Sequence, residues 1–172
     1  NLVTNGSFEN GSANWQIGSA TTFSVSNGVA TIVAPTEPWR PLIGTDYIIG
    51  NSSTYTHKFY LLIKAKVPSI AYSFGFGATR VGGYVFTAPR IAYQDGEYTE
   101  SSSIIIPSNY VSATDFYFGI YHQLETQSQE TLYIDYVLII DLTATFGSGN
   151  EPDKEWCDRH ISYFDGTTTI YK

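Results

Sequence analysis

The sequence predicts an all-β fold of antiparallel strands, followed by one short helix near the C-terminus. Runs of alternating apolar and polar residues recur between positions 21 and 142, and this alternation is typical of strands with one buried face. Turn-forming clusters of Asn, Gly, Asp and Ser separate the runs. Apolar residues at helical spacing appear after position 150. Together these three patterns indicate a sheet protein with a helical tail.

The first predicted hairpin follows an N-terminal stretch that is too rich in Asn, Gly and Ser to form a helix. Strands are predicted at residues 21–25 and 29–33, joined at the turn signal Ser26-Asn27-Gly28. Prolines at positions 35, 38 and 41 then predict an exposed loop, because proline cannot donate a hydrogen bond to a sheet.

The longest alternating run in the first half of the chain covers residues 55–67. Its odd-numbered positions are predicted to face the core: Tyr55, His57, Phe59, Leu61, Ile63 and Ala65. Later runs predict strands at residues 70–77, 84–87, 97–106, 115–123 and 131–142.

The helix is predicted to begin at Asn150 as its N-cap and to end near Ser162. Glu151-Pro152-Asp153 supplies the proline and the negative charge that suit a first helical turn. Gly147-Ser148-Gly149 before it predicts a flexible hinge. The apolar stripe of the helix is expected to pack on the sheets or on a neighbouring module, and it consists of Trp156, Cys157, His160, Ile161 and Phe164.

The length, composition and net charge of the chain limit the functions it can have. With 172 residues the chain is long enough for one domain with a substantial core, and its lack of methionine suggests a module of a larger protein. The net charge of −7 argues against nucleic acid or an anionic membrane as the main partner, because both require clustered Lys and Arg. No apolar run approaches the roughly 18 residues of a membrane span, so we expect no membrane insertion. The single cysteine, Cys157, excludes an internal disulfide. No catalytic motif is present, and we expect no enzymatic activity.

Two stretches resemble a known family. Asn5-Gly6-Ser7-Phe8-Glu9, with Trp15 shortly after, and the late strand Tyr133-Ile134-Asp135-Tyr136-Val137 are similar to the carbohydrate-binding modules attached to xylanases and related glycosidases. The resemblance implies a two-sheet antiparallel β-sandwich, a jelly roll, for residues 1–145. It also implies a structural calcium ion near the N-terminus.

The C-terminal part resembles a segment that recurs in tail proteins of phages infecting Gram-positive bacteria. It runs from Asp141-Leu142-Thr143 through Phe146-Gly147-Ser148-Gly149-Asn150-Glu151-Pro152 to Tyr163-Phe164-Asp165-Gly166. This implies a module of the virion tail that attaches to host cell-envelope saccharides and contacts neighbouring tail modules. Residues 146–172 are then a hinge, helix and extension packed on the sandwich. The alternatives are a structural tail module without a glycan ligand, and a polysaccharide-binding module of a glycosidase.

The candidate sugar site centres on the strand at residues 115–123. Tyr117, Gly119, Tyr121 and Gln123 share the face opposite the core, where two tyrosines separated by a glycine would form a shallow notch for a pyranose ring. The alternative is a solvated face whose tyrosines shield the sheet. Trp39, held between prolines, is either a second platform or a plug over the core edge. The full predicted set is Trp39, Arg40, Tyr84, Tyr117, Tyr121 and Gln123.

The predicted calcium ligands are Glu9, Asp135 and a main-chain carbonyl at Ser7. Turn carbonyls beside a carboxylate suit a hard cation, and an acid within an apolar strand requires a partner or a metal. The family resemblance assigns both carboxylates to calcium, although Tyr136 stands where the family often has a second acid. The alternative is that Glu9 and Asp135 accept main-chain N–H bonds.

Overall fold

The structure, a computed structural model, describes residues 1–18, 20, 22–36, 40–45, 53–67, 74–80, 90–91, 96–109, 116–122 and 129–164. Its strands in chain order are β1 (Trp15–Ile17), β2 (Thr22–Ser26), β3 (Val29–Val33), β4 (Arg40–Thr45), β5 (Phe59–Lys66), β6 (Phe74–Arg80), β7 (Thr99–Ile105), β8 (Phe116–His122) and β9 (Thr131–Asp141). Two short α-helices follow, α1 (Leu142–Phe146) and α2 (Lys154–His160), and a 3₁₀ turn spans Pro107–Asn109.

The strands form two antiparallel sheets. A four-stranded sheet has the order β1-β4-β8-β6, and a five-stranded sheet has the order β2-β3-β9-β5-β7. The predicted all-β sandwich is therefore confirmed. The predicted C-terminal helix is present as α2, and a second, five-residue helix, α1, precedes it. Among the described residues, no helix has the length and apolar character needed to cross a membrane.

The main core lies between the sheets and follows the predicted alternation. From β5 it takes Phe59, Leu61, Ile63 and Ala65, and from β8 it takes Phe116, Phe118 and Ile120. The aromatic members interlock, since the Phe116 and Phe118 rings meet edge to face with centroids 5.7 Å apart and Phe59 lies 5.2 Å from Phe118. Such edge-on contacts add to the burial term.

The predicted loop around the prolines is partly a strand. β4 begins at Arg40, and Pro41 pairs with Tyr121 of β8. The register shifts between Pro41 and Ile43, as in a β-bulge. Because a proline is tolerated at the start of a strand or beside a bulge, its missing N–H does not prevent pairing here. The residues before Arg40, at positions 37–39, lie outside the described part.

A second apolar cluster lies on the outer face of the five-stranded sheet. The C-terminal segment covers this face, so β5 and β9 are buried on both sides. The members are Tyr60, Leu62, Leu138, Ile140, Leu142, Cys157, Ile161 and Phe164.

The connection between the helices is a tight turn built around Glu151, at the position of the predicted hinge. The Glu151 carboxylate accepts from Thr143 Oγ1 at 2.8 Å, from the Gly149 N–H at 3.0 Å and from Lys58 Nζ at 3.2 Å. The Thr143 hydrogen bond and then the other donors lower the Glu151 pKa from 4.5 to about 2. The N-cap of α2 is Asp153, not Asn150, and its side chain accepts from the Trp156 N–H.

Candidate functional site

Three glycines form a row on the outer face of the four-stranded sheet. Gly44 of β4 pairs with Gly119 of β8, and Gly119 pairs with Gly77 of β6. Residues directly opposite each other in antiparallel strands point to the same side of the sheet. On β8, Gly119 lies between Phe118 and Ile120, which face the core. The glycines therefore leave a strip without side chains on the side away from the core, and all three are buried in the folded chain.

Tyr117 lies over this strip. A Cβ atom on Gly44 would be 2.5 Å from Tyr117 Cε2, and one on Gly119 would be 3.5 Å from the same atom. The ring therefore occupies the space that a side chain at position 44 would fill. Tyr117 is half-buried, so part of it stays accessible to solvent. A ring supported by backbone and open to solvent is a suitable platform for the C–H face of a sugar.

The expectation that Tyr121 is exposed beside Tyr117 is wrong. Tyr121 is 0% exposed, and Gly75, its pairing partner on β6, is buried as well. Alternation along a strand assigns a side chain to one face of a sheet, but it carries no information about what covers that face. The predicted two-tyrosine notch is thereby reduced to the half occupied by Tyr117.

The other predicted sugar-binding residues are not tested. Trp39, Tyr84 and Gln123 lie outside the described residues. Arg40 is placed by its backbone alone, which pairs with His122 at the start of β4. Its Cα lies three pairs along the strand from the glycine row, and its side chain lies outside the described part. Sugar binding by these four residues stays a prediction.

The predicted calcium ligands fall into two groups. Glu9 and Ser7 meet at the β2–β3 turn, because the Cβ position of Gly28 lies 2.7 Å from Glu9 Oε1 and 3.5 Å from the Ser7 carbonyl oxygen. Asp135 is the extra residue of a bulge in β9, and its carboxylate is 2.7 Å from Lys64 Nζ. The acid in the apolar strand thus has a cationic partner.

This arrangement fits calcium in part. A carboxylate and a carbonyl at one turn suit the ion, but Asp135 is neutralised by Lys64. Within the described ranges, no three residues among His, Cys, Asp and Glu are grouped so as to hold a metal ion. Calcium therefore stays a prediction, and no step of the proposed function depends on it.

Thermal unfolding checks the calcium prediction. An ion that binds only the folded chain stabilises it by mass action. If the prediction holds, calcium raises the melting temperature of the wild type above its value in EDTA, and Glu9→Gln abolishes the difference. Equal melting temperatures of the wild type in calcium and in EDTA would contradict it.

The His57–Asp141 pair has the composition of an acid–base couple, but its contacts are structural. His57 Nδ1 lies 2.8 Å from Asp141 Oδ2, and the other oxygen of Asp141 accepts from the Ala144 N–H at 2.9 Å. Asp141 is therefore the N-cap of α1. The pair ties the segment just before β5 to the start of this helix.

No family model matches the sequence, and no curated protein matches it. Among solved structures, the chain is similar to a CBM4 carbohydrate-binding module, with a TM-score of 0.56 and 16% identity over 80% of this chain and 97% of that one. It is also similar to part of an arabinose-bound α-L-arabinofuranosidase, MgGH51, with a TM-score of 0.61 and 11% identity. That match covers 92% of this chain and only 29% of the arabinofuranosidase. At these identities the likeness shows the fold, a β-sandwich of the kind found in carbohydrate-binding modules.

Proposed function

We propose that this chain is a non-catalytic carbohydrate-binding module whose site is the outer face of the four-stranded sheet around Tyr117. The observation that carries the proposal is the position of the half-buried Tyr117 ring over Gly44 and Gly119, on the outer face of the four-stranded sheet. The similarity of the fold to carbohydrate-binding modules supports it.

The chemistry of this face suits a neutral sugar chain. A pyranose ring can stack its C–H face on the accessible part of the Tyr117 ring. Gln16, which pairs with Gly44 and is exposed, offers an amide donor and acceptor at the end of the row. The net charge of −7 disfavours polyanionic ligands.

The ligand we propose is a saccharide of a Gram-positive cell envelope, and the setting is a phage tail protein. The support is the sequence resemblance of residues 141–166 to a segment of such tail proteins. Trp39, Arg40, Tyr84 and Gln123 would complete the site. A shallow site gains little burial, so the virion would need many copies acting together. The similarity to part of an α-L-arabinofuranosidase favours a second candidate, a polysaccharide-binding module of a glycosidase.

Binding of the full chain to purified Gram-positive cell walls and to arabinoxylan tests both candidates. We expect saturable binding to the cell walls, weakened roughly fivefold by Tyr117→Ala, because a lost stacking contact is worth about 1 kcal/mol. The matched control is Tyr98→Ala, which removes a 38% exposed tyrosine next to β7 on the other sheet. This control should bind like the wild type.

The outcomes separate the candidates. Binding to arabinoxylan in place of cell walls would favour the glycosidase module over the tail module. Binding that Tyr117→Ala leaves unchanged would move the site away from the four-stranded sheet. Binding to neither polymer would favour the alternative of a structural module without a glycan ligand.

A further inference from the structure

A pocket lies on the opposite side of the sandwich from Tyr117. It is formed where α2 crosses the outer face of the five-stranded sheet, and its volume is about 290 Å³. Leu62 of β5 pairs with Ser102 of β7, so both point to this outer face. The lining residues are Tyr60, Leu62, Glu100, Ser102, Lys154, Asp158 and Ile161.

Asp158 of α2 is fixed in this pocket by three donors from three elements. It accepts from Ser102 Oγ at 2.6 Å, from Lys154 Nζ at 2.6 Å and from Tyr60 Oη at 3.0 Å. Burial and then the bond to Asp158 raise the pKa of Tyr60, which keeps its proton as a donor. Desolvation opposes ionisation of Asp158, but the three donors hold its pKa below the usual value. The carboxylate is therefore charged and oriented before any ligand arrives.

Glu100 supplies a second carboxylate to the same pocket. An ionised carboxylate has about four acceptor positions, and the described contact of Glu100 is a hydrogen bond from the Tyr136 hydroxyl. Lys64, which pairs with Glu100 in the sheet register, forms an ion pair with Asp135. Most of the acceptor capacity of Glu100 thus remains for a ligand.

The pocket combines an apolar floor with a polar rim. Leu62 and Ile161 are each 4% exposed and form the floor. Glu100 and Asp158 present acceptors, and the ammonium of Lys154, 50% exposed, presents donors. The pocket has two carboxylates and one ammonium, so its net charge is negative. This charge disfavours anionic ligands such as phosphates and carboxylic acids. The volume lies near the lower end of the range for small-molecule sites, roughly 300–1,000 Å³, which suits one ring rather than a chain.

We propose that this pocket binds a single polyhydroxylated unit, a monosaccharide ring or a short polyol. Its hydroxyls donate to Glu100 and Asp158 and accept from Lys154, and its C–H face covers Leu62 and Ile161. This site is independent of the sheet face around Tyr117. A chain with both sites would hold a polymer on one side and a single sugar unit on the other.

The test is an amide NMR titration of the full chain with glucose, N-acetylglucosamine or ribitol. We expect saturable shifts in residues 100–102 and 154–161 for at least one of them, with dissociation constants in the roughly millimolar range. Glucose and ribitol separate a ring requirement from a polyol requirement. tert-Butanol, which has apolar bulk and one hydroxyl, should give no saturable shifts.

Four variants test whether the side chains of this pocket are responsible for the binding. Glu100→Gln and Asp158→Asn should each weaken binding roughly tenfold, because each removes a charged acceptor. Glu155→Gln is the matched control, since it makes the same change at an 81% exposed position on α2. It should bind like the wild type. Tyr117→Ala should also leave this binding unchanged, which separates the pocket from the proposed sheet-face site.

The proposal is overturned by any of three results. These are an absence of saturable shifts with all three probes, equal shifts with tert-butanol, and wild-type affinity in both Glu100→Gln and Asp158→Asn. Since Glu100 is exposed, its variant should fold normally even if Asp158→Asn loosens α2. Circular dichroism of each variant verifies that the fold is retained.

Discussion

A chain that ends at Phe146 should fail to fold stably at 37 °C. The truncation removes Cys157, Ile161 and Phe164, which cover the outer face of the five-stranded sheet. The truncation would expose Leu62, Leu138 and Ile140, which are each at most 4% exposed in the intact chain. Burying one such side chain stabilises by roughly 1.5–3 kcal/mol, so three contribute roughly 5–9 kcal/mol. A whole domain is stable by only about 5–15 kcal/mol.

The truncation uncovers the two central strands of the five-stranded sheet. β5 and β9 are neighbours in the middle of the five-stranded sheet, and each contributes to both apolar clusters. Leu61 and Ile139 face the sandwich core, while Leu62 and Leu138 face the C-terminal segment. Without the cover, one face of these central strands becomes an apolar patch, and such patches promote aggregation. Low solubility of the truncated chain is therefore part of the expected result.

The matched control is a chain that ends at Phe164, which removes only residues outside the described part. It should show one cooperative thermal transition close to that of the full chain, measured by circular dichroism. If the chain ending at Phe146 also unfolds cooperatively within a few degrees of the full chain, residues 147–172 are a separable extension. The domain boundary that the sequence predicts after residue 145 would then be physically meaningful.

Strands with one buried face were predictable because local chemistry alone specifies them. The hairpin of β2 and β3 is the clearest case, since Asn27 and Gly28 adopt φ angles of 52° and 71°. Two consecutive residues with positive φ form a turn that suits Asn-Gly and matches the twist of the flanking strands. β4 was not predicted because the bulge that accommodates Pro41 depends on β8, which is distant in sequence.

The C-terminal helices show the limits of local signals. Asn150 and Asp153 are both acceptable N-caps by residue type. The structure uses Asp153, while the Asn150 N–H donates to the Gly147 carbonyl within the preceding turn. α1 has five residues, too few to show an apolar period, and only its cap at Asp141 marks its start.

The candidate sites depend on register and on long-range assembly. Gly44, Gly77 and Gly119 are each visible in the sequence, but only the pairing of β4, β6 and β8 shows that they form one row. The pocket beside α2 joins residues from β5, β7 and the helix, up to 98 positions apart for the Tyr60–Asp158 hydrogen bond. No local pattern in the sequence could have indicated this pocket.

The N-terminal turn gives the second large effect, and Asn5 is its central residue. Asn5 is 7% exposed and has a φ angle of 60°. Its side-chain amide donates to the carbonyls of Gly11 and Ala13, and its side-chain oxygen accepts from the Asn10 N–H at 2.9 Å. The Asn5 carbonyl accepts from Trp15 Nε1 at 3.1 Å. One residue thus holds the turn closed at several points.

Asn5→Ala is therefore expected to destabilise the chain by about 3–5 kcal/mol. Three side-chain hydrogen bonds are lost at a largely buried site, and alanine pays roughly 1–2 kcal/mol for the left-handed conformation. For a chain of this length the melting temperature should fall by roughly 10 °C or more. Urea unfolding followed by circular dichroism gives the change in the free energy of unfolding.

Asn5→Gly separates the two contributions. Glycine loses the same hydrogen bonds but adopts a positive φ without strain, so Asn5→Gly should be more stable than Asn5→Ala by about 1 kcal/mol. Next to it, a Cβ on Gly6 would lie 2.3 Å from the Val137 carbonyl oxygen, so that glycine is also required by packing. If Asn5→Ala matches or exceeds Asn5→Gly in stability, the backbone argument is wrong. If both lie within 1 kcal/mol of the wild type, the hydrogen-bond argument is wrong as well.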